Sequence, residues 1–561
     1  MGGDQQIDLD GAGQAGLDVS PAEVIGVLGA GTMGAGIAQL ACRAGARTLL
    51  HDPFPQALAK GVERVAQGIE REVARGRLDA QEASAAAARL EPVQDMAAFE
   101  RCALVIEAVP ERLALKHEIY ERLSGIVGEQ CVLASNTSSI PVTAIAAAAT
   151  FPERVVGMHF FNPAPVMRLV EVIAGMRSGE RALALAQATG EAMGKTVIRA
   201  QDGPGFIVNR CNRPFGLEAL RLLAERVADV QTIDRICRMH GGFPMGPFEL
   251  MDLVGVDTGF EVSLSFYEQS FGEPRWRPSP IAARYVAAGL HGRKSGGGYY
   301  DYAGLAGGGS YRPADPAPLQ SPAPGEGVVV IAGMLPVAQE LRAAAEAAGY
   351  RVIGPDTHLE DELPALFVDC DPAATLAGAE SAHGARRAAH RAPGGAHLVL
   401  CAAGTLGALE PMGSAVGFHV LPPLAGAGLA ELTRTPSSSP LAAQRAERFF
   451  DALGMHTAWA GDVPGLVLGR IVCQVINEAA FALGEGVGSA RDIDLGMELG
   501  LGHPRGPLQW AELIGLDHVV TVLDALWEIY REERYRAAPL LRSLMAEGRV
   551  GAGRGECFPR T

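Results

Sequence analysis

His159 and Glu171 stand twelve residues apart in VVGMHFFNPAPVMRLVEV, with Asn162 between them. An alcohol that gives up hydride must also give up a proton, and a histidine of near-neutral pKa accepts it well. A carboxylate on the other ring nitrogen fixes the tautomer and stabilises the imidazolium, the part Glu171 could play. A histidine on an apolar run is more often a satisfied core residue, so the pair takes its meaning from what accompanies it. Gly29, Gly31 and Gly34 form GxGxxG, and Asp52 follows the last glycine by 18 residues. The first glycine permits a tight turn, the second lets a pyrophosphate approach the backbone, and the third allows close helix–strand packing at a helix start that offers N–H groups to phosphate. Asp52 can accept two ribose hydroxyls and would repel a 2′-phosphate, so the pattern predicts NAD rather than NADP.

Such residues need alternating strands and helices to hold them. VIGVLGAGTMGAGIAQLACRAG reads as strand, glycine turn and helix, and TLLHD as a second strand. Residues 56–90 read as helical, LKHEIYERLSGIV as a helix, and LVIEAVPE, CVLASNTSS and RVVGMHFFNP as strands ending in turns. The alternation predicts a parallel sheet in a Rossmann-type α/β domain over residues 22–202. Residues 203–302 change to long helical stretches and predict an all-α domain. Residues 303–326, rich in Gly, Pro, Ser and Ala, read as a linker, and residues 1–21 as a disordered leader.

Beyond the linker the pattern restarts. Gly333, Gly349 and Asp356 lie 304 residues after Gly29, Gly45 and Asp52. Farther on, His419, Glu431, Asp462, Pro464 and Gly465 lie 260 residues after His159, Glu171, Asp202, Pro204 and Gly205. The change of offset is a net loss of 44 residues, mostly between the counterparts of Asp52 and Glu107. The chain therefore reads as the α/β plus all-α pair duplicated in tandem, with a degenerate Rossmann-like domain at 327–459 and a second helical domain at 460–561.

Composition agrees with a multidomain globular protein: 561 residues, 48% hydrophobic and 20% charged. A formal charge of -16 argues against general nucleic-acid binding, and no apolar stretch approaches the ~20 residues of a membrane span. Nine scattered cysteines without a CxxC pair indicate neither a disulfide framework nor a metal site. The default location is the cytoplasm.

GAGTMG, SNTSS, HFFNP with the following Glu, DGPGFIVNR, GFPMGPFELMDLVGVD and GRKSGGGYYDY occur in an order and spacing that resembles the 3-hydroxyacyl-CoA dehydrogenase family over residues 24–302. The resemblance implies oxidation of (3S)-3-hydroxyacyl-CoA with NAD. By motif position it implies His159 as general base and Glu171 as its partner, with Ser138 and Asn209 bonding the substrate oxygen and the histidine region and Asn162 supporting them. Gly29, Gly31, Thr32, Met33, Gly34 and Asp52 would hold the dinucleotide. Glu111 and Lys116 match positions that contact it, a solvated helix start being the alternative. In the family the insert after the second strand holds CoA through hydroxyl and amine groups, but here it reads LAKGVERVAQGIERE, with glycines in place of such groups; Lys60, Arg64 and Arg71 are the substitutes to consider.

With INEAAFALGEGVGSARDIDLGMELGLGHPRGPLQWAELIG followed by EERYRAAPLLRSLMAEG, the full length also resembles the two-unit dehydrogenases of phenylacetate breakdown that oxidise 3-hydroxyadipyl-CoA. A dicarboxylic tail needs a cation, and Arg210, Arg213, Arg221 and Lys294 are all available. A 3-hydroxybutyryl-CoA or fatty-acid β-oxidation dehydrogenase is the alternative. A non-catalytic nucleotide-binding scaffold belongs to another class, and the intact Ser138, His159, Glu171 and Asn209 argue against it. A β-hydroxyacid dehydrogenase ranks last, because the proton acceptor here is a histidine of HFFNP rather than a lysine of the helical domain.

The second copy should be silent. Leu335 and Ala338 replace Gly31 and Gly34, Pro422 replaces Asn162, and Gly469 replaces Asn209, while His419 and Glu431 survive. Family members of one unit pair through the helical domain, so residues 460–557 are expected to cover residues 204–302 as an internal pseudo-dimer.

Overall fold

The computed structural model describes residues 19–304, 310–319, 322–355, 357, 364–370, 395–410, 413–551 and 556–559. The expected leader, apart from residues 19–21, and Asp356 lie outside them. The chain divides into two compact units, residues 1–203 and 204–561.

The first unit holds strands β1 (Val24–Leu28), β2 (Arg47–His51), β3 (Leu90–Val93), β4 (Leu104–Glu107), β5 (Val132–Ser135), β6 (Val155–Phe160), β7 (Leu169–Ala174) and β8 (Thr196–Gln201). They form one sheet in the order β3-β2-β1-β4-β5-β6-β7-β8. Strands β4, β5 and β6 are buried along their whole length, because helices cover both faces of a parallel sheet and its strands become continuous apolar runs. Pro92 sits in the edge strand β3, where a missing N–H costs no ladder bond to a further strand.

The expected parallel order fails at one place: β7 runs antiparallel to β6. Residues 161–168 are too few for a helical crossover, which takes a dozen or more. The chain must turn back, and in doing so it sets His159 directly opposite Glu171.

Helix α1 (Thr32–Arg43) follows the glycine turn, and α2 (Pro55–Ala74) packs against it. The glycines of the insert lie in that contact. A Cβ on Gly61 would come within 2.6 Å of Ala30 Cβ, and one on Gly68 within 2.0 Å of Gln39 Oε1. Seven residues is two helical turns, so both mark the face α2 presses onto the nucleotide turn and α1.

The second unit contains β9 (Val328–Ala332), β10 (Arg351–Ile353), β11 (Leu366–Asp369), β12 (His397–Leu400), β13 (Val416–His419), β14 (Leu429–Thr433) and β15 (His456–Trp459). Their order, β10-β9-β11-β12-β13-β14-β15, is that of the first sheet without β3. Strand β9 begins 304 residues after β1, and β14 and β15 begin 260 after β7 and β8.

Two groups of helices complete this unit. Helix Leu468–Gly484, buried on every side from Leu468 to Ala482, packs on Arg213–Ala224. Asp234 accepts bonds from Phe248 and Glu249 N–H, and Asp494 from Leu508 and Gln509, capping equivalent helices in the two groups. The two PxGP turns, Pro244–Pro247 and Pro504–Pro507, serve this cap: a Cβ on Gly246 or Gly506 would strike the capping aspartate. Part of the expected linker is also fastened. Tyr311 donates to Glu249, and Asp315 pairs with Arg238 at 2.6 Å.

Candidate active site

Gly29 has φ +98, and a Cβ there would lie 2.6 Å from Ala108 O; a Cβ on Gly34 would lie 1.7 Å from Gly29 O. Both positions exclude any other residue. Gly31 differs, since nothing lies within 4 Å of a Cβ built on it, so the backbone beside it is open. The helix start over Thr32 and Met33 has no side-chain cap, and its first N–H groups lack intrahelical acceptors. Asp52 is fixed from two sides, accepting Ala30 N–H through Oδ2 and Phe54 N–H through Oδ1, both at 3.0 Å. Its remaining lone pairs suit a diol. Open backbone, uncapped amides and a braced carboxylate fit the pyrophosphate and ribose of a dinucleotide.

At the end of β4 stands a residue that pattern reading passed over. Glu107 is 1% exposed and accepts from Lys116 Nζ at 2.8 Å on both oxygens, from Ser135 Oγ at 2.7 Å and from Val109 N–H at 2.7 Å. Lys116 is equally buried and reaches Glu111 at 3.2 Å, which excludes a solvated helix start for it. Glu111 Oε1 in turn gathers Thr137 Oγ1 and the N–H groups of Ser138 and Ser139. Burial opposes the charge on Glu111, but Lys116, Thr137 and the Ser138 amide outweigh it and hold the carboxyl below its usual range. Ser138 is thus positioned through its backbone by Glu111. An acidic residue closing the apolar strand LVIE, with a lysine nine residues on, was the available signal.

His159 Nδ1 lies 2.6 Å from Glu171 Oε2, with Glu171 fully buried and His159 6% exposed. Asn136 accepts Phe160 N–H at 2.9 Å and fixes the strand end beside the histidine. Lys195 donates to Ala164 O and Met167 O, at 2.6 and 2.7 Å, and so holds the loop joining the two strands. Asn162 is exposed just beyond β6. Between α1, α2 and residues 163–166 lies a cavity of about 160 Å³ whose lining includes Thr32, Gln39, Arg64, Arg71, Arg75 and Pro165. Lys60 is exposed on α2 and does not line it.

Asn209 belongs to the second unit, on the short helix Val208–Cys211, where it is partly buried. Of the four cations considered for an acidic tail, three are engaged. Arg210 pairs with Glu478 and Glu485, Arg221 with Glu532, and Lys294 with Asp257. Arg213 donates to Asn209 O and Ser263 Oγ, at 3.2 and 3.3 Å, and its guanidinium stands 5.0 Å from the Phe266 ring. Among the described residues it has no carboxylate partner. Burial pushes its pKa down to about 10, still charged at neutral pH.

The second sheet keeps the residue types but not the arrangement. His419 and Glu431 are cross-strand partners, yet Glu431 accepts the N–H groups of Val467 and Leu468, while His419 Nε2 lies 3.1 Å from His518 Nε2. A Cβ on Gly469 would stand 2.2 Å from the His419 ring, so the helix covers it. At the turn, Leu335 is buried, Pro336 supplies no N–H, and Arg342 donates to Gly333 O at 2.6 Å.

Residues 24–203 match the family described as 3-hydroxyacyl-CoA dehydrogenase, NAD binding domain, and residues 205–302 and 465–560 both match its C-terminal domain. The chain is 34% identical over 520 residues to 3-hydroxyadipyl-CoA dehydrogenase of Escherichia coli K12, covering 93% of this chain and 97% of that one. Human mitochondrial hydroxyacyl-coenzyme A dehydrogenase is 38% identical over 284 residues, 49% of this chain and 90% of the relative. A crystal structure of 3-hydroxybutyryl-CoA dehydrogenase from E. coli K12 superposes with a TM-score of 0.77 at 32% identity, covering 94% and 98% of the two chains.

Proposed function

The chain belongs to the 3-hydroxyacyl-CoA dehydrogenase family, and we propose that its NAD-dependent oxidation of (3S)-3-hydroxyacyl-CoA to 3-oxoacyl-CoA runs through His159 and Glu171. The observation that carries this reading is the 2.6 Å His159–Glu171 contact, set by the register of β6 and β7. NAD, when bound, supplies the acceptor for the hydride leaving C3. His159 takes the hydroxyl proton on Nε2 as the C3 carbonyl forms, and Glu171 holds the proton on Nδ1 and stabilises the imidazolium. By motif position Ser138 and Asn209 are the groups assigned to the substrate oxygen, with Asn162 in support. Gly29, Gly31, Thr32, Met33, Gly34 and Asp52 receive the dinucleotide, and Lys116 acts through Glu107 and Glu111 rather than by reaching into solvent. The arginines of α2 that line the 160 Å³ cavity suit the phosphates of CoA. Purified protein should reduce NAD with a 3-hydroxyacyl-CoA and fail to do so without one.

For the acyl group we favour a dicarboxylic chain such as 3-hydroxyadipyl-CoA, the substrate named for the E. coli relative. Arg213 supports it: a guanidinium one helical turn from Asn209, with no carboxylate partner among the described residues, is a ready partner for a tail carboxylate. Matched six-carbon substrates, 3-hydroxyadipyl-CoA and 3-hydroxyhexanoyl-CoA, test this directly, and a preference for the neutral chain would reject it. The reaction belongs in a reducing compartment, a reading supported by nine buried, unbridged cysteines.

We read residues 327–459 as a degenerate counterpart of 22–202, and 460–561 as a counterpart of 203–302. The matching strand order and the double match to the C-terminal domain support this. The covered His419 and filled turn support a silent second copy, so titration should find one NAD site per chain and His419→Ala should leave turnover near wild type. Two equal sites would overturn the reading.

A further inference from the structure

The two helical groups of the second unit meet through contacts that change places under the 260-residue register. Arg210 pairs with Glu478 and Glu485, at 2.8 and 2.7 Å, and its counterpart Arg470 pairs with Glu218 and Glu225, at 2.5 and 2.7 Å. Reciprocity of this kind is what a two-fold, isologous interface requires. At one pair of positions the contact survives while the residues trade sides. Arg275 stacks 3.8 Å from the centre of the Phe481 ring. The counterpart positions hold Tyr535 and Arg221, whose guanidinium lies 5.7 Å from the Tyr535 ring. Both contacts join a cation to an aromatic face, but the first group supplies both cations and the second both rings.

This exchange decides which surfaces can meet. In the observed pairing, Arg210 and Arg275 face Glu478 and Glu485 on one side, and Arg470 and Arg221 face Glu218 and Glu225 on the other. Glu273 also pairs with Arg275 and Glu532 with Arg221, so each side sets two arginines among three carboxylates. If residues 204–302 met a second copy of themselves, Arg275 would confront Arg221 where each now faces a ring, and three arginines would crowd around Glu218, Glu225 and Glu273. Arg221 would also lose Glu532, its partner here, because the counterpart of Glu532 is Gly272. If residues 460–557 met their like, Glu478 and Glu485 would keep Arg470 alone. The side chains of Arg210, Glu478, Arg470 and Glu218 are at most 5% exposed, where solvent screens an imbalance poorly.

We infer that this face accepts only the unlike half: residues 204–302 take residues 460–557 as partner and reject a second copy of themselves. Selectivity comes from the repulsion built into each like pair as much as from the attraction in the unlike one. The second half is thus a dedicated counterpart whose surface cannot be replaced by the first.

Swapping residues in the full-length chain tests this. Phe481→Arg sets two arginines face to face, as a like pair would, and should lower the thermal midpoint by roughly 3 °C or more. Adding Arg275→Tyr should recover most of that loss. The new tyrosine can donate to Glu478 as Tyr535 donates to Glu218, and the new arginine can reach Glu485 as Arg221 reaches Glu225. The other side offers an independent pair, Tyr535→Arg rescued by Arg221→Phe. Where a single variant does not fold, recovery of folded protein by its double is read instead. Rescue on either side supports the inference; doubles no better than their singles on both sides overturn it.

Discussion

His159 Nδ1 lies 2.6 Å from Glu171 Oε2 because the two residues are direct partners across the antiparallel pair β6–β7. In the proposed mechanism Nε2 is the nitrogen that takes the substrate's proton. His159→Ala should lower turnover by about 100- to 10,000-fold, the usual contribution of a positioned general base. Glu171→Gln keeps the shape but loses the charge that stabilises imidazolium, so it should lower turnover with little change in the Kd for NAD. Steady-state kinetics with a fluorescence titration of NAD separates the two quantities, and retained turnover in both variants would remove the assignment.

Lys116 joins Glu107 to Glu111 in a place where Lys116 and Glu107 are each 1% exposed. Lys116→Met strands the buried Glu107 carboxylate without its cation. The expected cost is about 3–5 kcal/mol in stability, since removing one partner of a buried pair leaves an uncompensated charge. Urea unfolding measures it; a loss within about 0.5 kcal/mol, the range of ordinary surface substitutions, would mean that Ser135 and Val109 alone satisfy Glu107.

What the sequence disclosed depended on whether a residue's role is local. Gly29, Gly34 and Asp52 answer to a turn geometry written within thirty residues, and the His159–Glu171 spacing to one short hairpin. Gly61 and Gly68 looked like missing CoA contacts because their purpose, room for Ala30 and Gln39, lies on another helix. Glu107 gave no periodic signal. Arg210 was legible as a cation but not as the partner of Glu478, since the pairing spans 268 residues of sequence. Strand β7 was not read as a strand, and the alternation of the other elements predicted parallel neighbours; the antiparallel direction follows only from the short connection after β6.

The second unit should be sensitive to acid. Burial holds His240 and His518 down to about 4 and His503 to about 3, and pushes His419 well below its usual value. Each binds its proton only on unfolding, so its contribution is present above the unfolded value near 6.5 and is lost as pH falls toward 4. Burial acts oppositely on Asp234, raised to about 7, and Glu431, raised to about 8, whose contributions are lost as pH rises. Burial raises Asp252 and Glu478 as well, so the carboxyls offset part of the imidazoles' proton uptake on unfolding, and the imidazoles' own share is a rise in stability with pH between about 4.5 and 6.5. His518→Leu should flatten that rise in urea midpoints, and an unchanged slope would show that the His419–His518 pair does not contribute.

Replacing Arg213 tests substrate preference apart from catalysis. Its charge has no carboxylate among the described residues and is not part of the proton-transfer pair, so its removal should act on one class of substrate. Arg213→Leu should lower kcat/KM for 3-hydroxyadipyl-CoA by about 10- to 150-fold, the equivalent of ~1.5–3 kcal/mol for a hydrogen bond to a charged group. Activity on 3-hydroxyhexanoyl-CoA should be unchanged or improved, because the leucine keeps apolar contact with Phe266 and no tail charge is lost. Equal losses on both substrates would make Arg213 a packing residue of the cation–ring contact. Preserved discrimination would place the tail carboxylate elsewhere, while the oxidation through His159 would stand.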